Sequence, residues 1–258
     1  MSACMFVRDD LGRHVSTRKA LVYGTATKVG PESRDITIKS DGQEEIKTFN
    51  FHALVIATGA STPSPLLGLN TNSAALRETW IEFRNALPAT RSIVISGGGP
   101  AGVEVAGELG EYLNGRTGWF SSSALSNPKV FITLITSGAE LLPALRPSIA
   151  RTAEQYLAKI GITIIKNTRV DSVSPPDTGR TFFSLTSKAT LTLSSSSVLE
   201  ADLYIPATGT APNTSFLAHI PNLLTSSGHI TTNPQTLRVT LETAYPRIYA
   251  IGDCSTFF

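Results

Sequence analysis

Gly97, Gly99 and Gly102 stand in G-x-G-x-x-G spacing within Arg91-Ser-Ile-Val-Ile-Ser-Gly-Gly-Gly-Pro-Ala-Gly-Val-Glu104. The chemistry such spacing serves is the binding of a pyrophosphate by backbone N–H groups. Gly97 permits a tight turn, Gly99 lets the backbone approach the phosphates, and Gly102 lets the following helix pack closely on the preceding strand. The helix start and its dipole then favour an anion. Glycine-rich turns without ligands also exist, so the order of elements decides. Ile93 to Ile95 reads as a buried strand, and Gly102, Ala106, Leu109 and Leu113 recur at helical spacing afterwards. Gly97, Gly98, Gly99, Pro100, Ala101 and Gly102 are therefore candidate cofactor-binding residues, in a dinucleotide-binding unit.

Coenzyme choice in such a unit is set near the end of the second strand, where an acidic residue accepts from the adenine ribose 2′-OH and repels a 2′-phosphate. Here that strand runs from Val130 to Ile135 and ends in Thr136-Ser137, with no carboxylate before Glu140. Thr136 and Ser137 are candidate coenzyme contacts. Their hydroxyls serve NADH or NADPH, and Arg146 and Arg151 read either as partners of a 2′-phosphate or as solvated cations, so the choice stays open.

The other reactive residue types carry less. Cys4 and Cys254 are the two cysteines and form no C-x-x-C pair, so a dithiol relay has no candidates and a reducing compartment is the default. His14, His52, His219 and His229 are scattered without metal-ligand spacing, and no metal site is expected. No side chain is assigned as acid, base or nucleophile.

The elements that must position these residues read as mixed α/β. Residues 1–19 show no pattern. From Ala20 to Phe51 the sequence suggests a small antiparallel meander, with a turn signal at Asp41-Gly42, and Ala53 to Ala57 reads as a strand buried on both faces. A helix is expected from Ala74 to Asn85. The βαβ unit follows, then a Ser-rich loop from Gly115 to Pro128 that carries Trp119 and Phe120. Pro147 opens a second helix with Ile149, Ala153, Tyr156, Leu157 and Ile160 on one face and Gly161 as its stop. Ile162 to Ile165 reads as a third parallel strand, residues 168–200 as an antiparallel excursion, and Ala201 to Ala207 and Arg247 to Ile251 as further strands.

Composition narrows the class. The chain has 258 residues and a formal net charge of +2 without a basic run, which argues against nucleic-acid binding. No apolar run approaches the roughly 20 residues that span a bilayer. The first residues lack the order of a secretory signal, and Ser2 stands where myristoylation requires glycine. The expected compartment is cytoplasmic, with mitochondrial or membrane-surface association left open. Oligomeric state is not readable.

Four phrases occur in one order: Val55-Ile-Ala-Thr-Gly59, Gly97 to Gly102, Ile205-Pro-Ala-Thr-Gly209 and Tyr249-Ala-Ile-Gly-Asp253. The series resembles the pyridine nucleotide–disulfide oxidoreductase superfamily of flavoproteins with two dinucleotide-binding domains. Ile132-Thr-Leu-Ile-Thr-Ser137, Glu140-Leu-Leu-Pro143 and Tyr249-Ala-Ile-Gly-Asp253-Cys are similar to its apoptosis-inducing-factor-like branch, with ferroptosis-suppressor-type NAD(P)H:quinone oxidoreductases as kin. The resemblance covers roughly residues 20–256.

The resemblance implies a Rossmann-like NAD(P)-binding domain over 86–205, inserted into an incomplete FAD-binding domain made of 20–85 and 206–258, after a poorly ordered 1–19. Its cofactors would be FAD and NAD(P)H, and its reaction hydride transfer from nicotinamide to flavin and on to a quinone-like small-molecule acceptor. Ala57, Thr58 and Gly59, together with Thr208 and Gly209, would cross between domains near the cofactors. Gly252 and Asp253 would contact the FAD. Glu104 resembles a glutamate facing the nicotinamide–flavin junction, and reads equally as a helix-start carboxylate favoured by the dipole.

The sequence departs from that pattern in two places. Residues 1–52 hold no G-x-G-x-x-G, since Gly12, Gly24, Gly30 and Gly42 are spaced otherwise, and the sequence stops at Phe258 soon after the Gly-Asp phrase. A form truncated at both ends is the expectation. The alternative is a catalytically inactive NAD(P)H-binding module.

Overall fold

The computed structural model describes residues 3–8, 19–40, 45–115, 125, 127–241 and 244–257. The Asp41-Gly42 turn signal and most of the Ser-rich loop, with Trp119 and Phe120, lie outside the described residues. The chain divides into two compact units, and it passes from the first to the second and back. Unit 1 comprises 1–61, 70–72 and 210–258, and unit 2 comprises 62–69 and 73–209.

Unit 1 opens with β1 (Ala3–Arg8), β2 (Lys19–Gly30), β3 (Asp35–Ser40) and β4 (Ile46–Asn50), which form one antiparallel sheet in sequence order. Strand β1 falls within the stretch that the sequence leaves without an element. Alternation places Val29, Ile36 and Ile38 inward, where they join Leu54, Ile56, Leu217, Ile230, Val239 and Ile248 in the core of the unit. Strand β5 (Leu54–Ile56) buries its two ends but leaves Val55 57% exposed, so it is covered on one face and not on both. The apolar run alone could not show this, because one face of a paired strand is buried only where another layer packs on it. Strand β6 (Ala60–Ser61) ends the first pass through the unit.

Unit 2 begins with helix α1 (Ser73–Ala86), which the sequence reading groups with the flanking segments rather than with the glycine turn. Phe83 is the reason: it is buried in the core of unit 2 with Leu87, Ile93 and Ile95. Strand β7 (Ser92–Ser96), helix α2 (Pro100–Asn114), strand β8 (Phe131–Ile135), helix α3 (Pro147–Lys159) and strand β9 (Ile162–Ile165) follow as two successive βα steps and a closing strand. An antiparallel sheet of β10 (Val170–Ser174), β11 (Ala189–Leu193) and β12 (Val198–Ala201) comes next, where the period-two text is found. Strand β13 (Leu203–Pro206), buried at all four residues, then returns to the main sheet.

That main sheet is parallel with order β13-β7-β8-β9. It is buried on both faces: Ile93, Ile95, Ile132 and Leu134 pack with Ala106, Leu109 and Leu157 of the helices, and Val94, Ile135 and Tyr204 pack with Leu191 and Leu193 of the antiparallel sheet. Helix α2 buries Gly102, Ala106 and Leu109 as expected, and Gly110 besides, while the expected Leu113 is half-buried. Helix α3 buries Leu157, with Ile160 just after it, and packs Ala153 against the core as expected, but two of the expected positions face outward. Ala150 and Leu157 are buried, while Ile149 and Tyr156 are 44% and 41% exposed. Positions 150, 153 and 157 share a stripe at helical spacing, and Ile149 lies beside it. The Tyr156 hydroxyl donates to the Glu111 carboxylate, joining the outer faces of α3 and α2.

The chain re-enters unit 1 through β14 (Ala211–Pro212), then forms β15 (Ile230–Thr232), β16 (Ile248–Ala250) and β17 (Ser255–Phe257). Strand β14 pairs with β6, β15 lies parallel to β17, and β16 lies parallel to β5. None of the described helices is long and apolar enough to cross a membrane.

Candidate functional site

In a parallel sheet every strand presents its carboxyl end to the same edge, and there α/β folds gather ligand-binding loops. Register does this in unit 2. Ile95 of β7 lies beside Ile205 of β13 and Leu134 of β8, so the segments after Ser96, Pro206 and Ile135 emerge together. These segments are Gly97 to Gly102, Ala207 to Gly209, and Thr136-Ser137. The structure thus brings three sequence-separated candidate groups to one edge.

The glycine turn is held from both sides. Gly97, at φ +123°, donates its N–H to Ile135 O at 2.8 Å, and a Cβ there would lie 2.1 Å from the Ala207 carbonyl oxygen. A Cβ on Gly98 would meet Thr136 Oγ1 at 2.4 Å, and one on Gly102 would meet the Gly97 carbonyl oxygen at 1.9 Å. The neighbours, mostly backbone, leave no room for a side chain at any of the three. Gly99 differs from them all. It sits at φ −76° with nothing within 4 Å of where its Cβ would be, and it precedes α2. No side chain caps this helix start, and Pro100 occupies its first turn, where the missing N–H costs nothing. Open space over an uncapped helix N-terminus, walled by glycines that closeness demands, fits the pyrophosphate of a dinucleotide.

The other candidates at this edge are placed as follows. Thr136 is 6% exposed, receives the Gly138 N–H on Oγ1 at 3.3 Å, and lies against Gly98. Ser137 is exposed. Ala101 and Glu104 are exposed on the first turns of α2, and Thr208 and Gly209 are exposed beyond β13. Beneath the turn, the Ser96 and Tyr204 hydroxyls share a buried hydrogen bond of 2.7 Å. Burial pushes the Tyr204 phenol above its ordinary value, against the smaller opposing effects of that bond and of Arg180.

Unit 1 has its own carboxyl edge. Strands β5 and β16 run parallel, so Ala57, Thr58 and Gly59 emerge beside Gly252 and Asp253, and the Ile251 N–H donates to Ile56 O at 2.9 Å. Gly59 and Gly252 take φ +64° and +74°, and neither has an atom within 4 Å of a would-be Cβ. Asp253 is exposed in a single 3-10 turn, Gly252–Cys254. The buried Cys254 is a free thiol that donates to Ile251 O at 3.3 Å. Among the described residues this edge offers open turns and a carboxylate, with no glycine cradle at a helix start.

One residue that the sequence reading misses organises this edge. Asn213 donates Nδ2–H to Thr58 O at 2.9 Å and receives the Ser61 hydroxyl on Oδ1 at 2.7 Å. Its own N–H donates to Gly59 O at 2.9 Å, and its carbonyl receives the Thr58 hydroxyl at 2.8 Å. The Thr58 hydroxyl proton is therefore spent on shaping the turn. The only local hint is an Asn in Thr-Gly-Thr-Ala-Pro-Asn213, a turn-favouring residue whose partners lie about 150 positions away. Among the described residues no group of three or more His, Cys, Asp and Glu gathers as a metal site.

Oxidoreductase phnG of Penicillium herquei is 54% identical over 234 residues, covering 90% of this chain and 54% of that protein. Apoptosis-inducing factor homolog B of Dictyostelium discoideum is 25% identical over 247 residues, covering 92% and 58%. The chain spans about half the length of the curated relatives it matches. Among solved structures, the water-forming NADH oxidase from Lactobacillus brevis bound to NADH is similar, with a TM-score of 0.66 at 19% identity, covering 90% of this chain and 45% of that one. At that identity the likeness shows the fold, a Rossmann-like α/β architecture. The family described as pyridine nucleotide-disulphide oxidoreductase matches residues 10–257, and the chain belongs to it.

Proposed function

We propose that this chain acts in FAD-dependent oxidation of NAD(P)H, with unit 2 as the nicotinamide-nucleotide-binding part and unit 1 contributing to the flavin site. When bound, the nicotinamide supplies a hydride and the flavin accepts it for delivery to a quinone-like acceptor, so the cofactors carry the chemistry and the protein positions them. The observation that carries the reading is the open, uncapped helix start at Gly99, enclosed by three glycines that have no room for a side chain.

In this reading Gly97 to Gly102 hold the pyrophosphate through backbone N–H groups, and Thr136-Ser137 lie under the adenine ribose. Glu104 extends from α2 toward the nicotinamide side. In unit 1, Ala57 to Gly59 and Gly252-Asp253 approach the flavin nucleotide, with Asp253 accepting from a hydroxyl. Family membership supports the activity, and the relatives named as oxidoreductases support its class.

A titration of the chain with NADH and NADPH, followed by coenzyme fluorescence, tests the binding step. Saturable binding is expected, and Gly99→Ala is expected to weaken it at least about tenfold, about 1.4 kcal/mol, with the unfolding midpoint unchanged. That separation follows because the added methyl meets no protein atom but occupies the place of the phosphate. Addition of FAD and a quinone should then support NAD(P)H oxidation.

A second reading is a catalytically inactive NAD(P)H-binding module, since the described residues of the unit 1 edge offer a flavin open turns and the Asp253 carboxylate. One or two hydrogen bonds of about 1 kcal/mol each fall well short of the roughly 8 kcal/mol behind micromolar binding. Coenzyme binding without flavin retention or oxidation would select this second reading.

A further inference from the structure

We propose that the strand end at Thr136-Ser137 does not discriminate between NADH and NADPH, so that the coenzyme site accepts both with similar affinity; this rests on the binding reading given above. In βαβ dinucleotide sites, discrimination needs either a carboxylate that grips the adenine ribose 2′-OH and repels a 2′-phosphate, or a cation that demands the phosphate. The geometry of this strand end supplies neither.

The first position after β8 is closed to a charge. Thr136 is buried, its N–H donates to Ile165 O at 2.8 Å, its carbonyl receives the Thr168 N–H at 3.0 Å, and its Oγ1 takes the Gly138 N–H. Its side chain also fills the space beside Gly98. Thr136 therefore shapes the turn rather than reading the ribose. The next position, Ser137, is exposed and neutral. A serine hydroxyl donates as well to a phosphate oxygen as to a ribose hydroxyl, and accepts from the latter.

The rest of the segment is drawn toward the glycine turn. Gly138 O receives the Asn167 N–H at 3.1 Å, Leu141 is fully buried, and the Leu142 N–H donates to Gly98 O at 2.8 Å. Between Val130 and Ala150 the sole carboxylate is Glu140, which is exposed. Lys166 pairs with Glu154 at 2.6 Å, and Arg169 with Asp171 at 3.6 Å. Arg146 and Arg151 are exposed cations at the start of α3.

Parallel fluorescence titrations of the full chain with NADH and with NADPH, at one ionic strength, test the proposal. The expected dissociation constants lie within about tenfold of each other. Ser137→Asp is expected to weaken NADPH at least about tenfold while leaving NADH unchanged or tighter, and Glu140→Gln to leave the ratio within about threefold. A wild-type preference beyond about tenfold for either coenzyme overturns the proposal, as does a large gain in NADPH affinity on Glu140→Gln, which would make Glu140 the discriminating acid. Binding of one coenzyme alone removes this inference and keeps the binding reading. Binding of neither removes both. Circular dichroism of each variant, unchanged from wild type, ties any lost affinity to the site.

Discussion

The two carboxyl edges use glycine for different reasons. At the edge of unit 2, Gly97, Gly98 and Gly102 are glycines because other atoms occupy the space a side chain would need. At the edge of unit 1, Gly59 and Gly252 have open space around them and are glycines because of their positive φ. The first edge sits on a four-stranded parallel sheet with a helix starting at its turn, and the second on a parallel pair that leads into a 3-10 turn. Steric closure on several elements makes a rigid cradle, whereas a conformational requirement makes a turn that can be paid for locally. The contrast predicts a graded series of substitution effects.

Gly97→Ala is expected to be the most damaging. Its methyl would fall 2.1 Å from the Ala207 carbonyl oxygen, at φ +123°, so strands β7 and β13 must separate or the turn must rebuild. A loss of about 3 kcal/mol or more is expected, in the range of overpacked and strained core positions. Chemical denaturation would measure it. A variant as stable as wild type would show that the turn relaxes freely and would undo the contrast between the edges.

The counterpart in unit 1 is Asn213→Ala. It removes the donor to Thr58 O and the acceptor for Ser61, leaving both partners to find water at a partly buried site. A cost of about 1–3 kcal/mol is expected from the unmade bonds. Asn213→Asp keeps the Ser61 interaction and should recover part of it. If the alanine variant matched wild type, the first Ala-Thr-Gly turn would be held by its backbone alone.

Asp202 sharpens the comparison from the opposite, amino-terminal edge of the unit 2 sheet. Its carboxylate accepts the N–H groups of Arg91 and Ser92 at 2.8 and 3.1 Å, and Lys188 lies 3.4 Å away. The Arg91 N–H, followed by Ser92 and Lys188, outweighs burial and holds the carboxyl below its ordinary value of 3.8. A lowered folded-state value stabilises the protein above the unfolded-state value and ceases to do so as pH falls through the folded one. Asp202→Asn is therefore expected to cost about 1 kcal/mol near neutral pH, with the gap to wild type closing below pH 3.8. Urea midpoints measured across that window would check it, and a gap independent of pH would remove the charge from the explanation.

How much of this was legible in the sequence follows the same divide. The glycine turn, strands β7 and β9 and their parallel direction were readable because period, turn residues and helix start all agree over a short window. The two Ala-Thr-Gly turns were readable only as an ordered set, through resemblance. The roles of Asn213 and Asp202 and the packing of the Ala207 carbonyl on Gly97 were not, because they depend on partners about 110 to 155 residues away, and no local spacing reports that distance. The exposure of Val55, and of Ile149 and Tyr156 on α3, depends on which layer covers an element. An apolar run is compatible with more than one such layer.

The smallest effect, that of an asparagine, is expected where the space is open. Gly59→Ala places a methyl with no atom within 4 Å, at φ +64°. The cost is then the left-handed backbone preference alone, about 1–2 kcal/mol for an ordinary L-residue. Asn tolerates that region better than Ala, so Gly59→Asn should cost about half as much or less. Gly252, at φ +74° with equally open surroundings, should give the same ranking. The order of Ala and Asn is the informative part. A clash would penalise the larger Asn more, whereas a dihedral requirement penalises Ala more. Thermal midpoints for the two variants at either position therefore separate a turn that is sterically walled from one that is only bent. An Asn variant less stable than the Ala variant would place the unit 1 edge in the same class as Gly97.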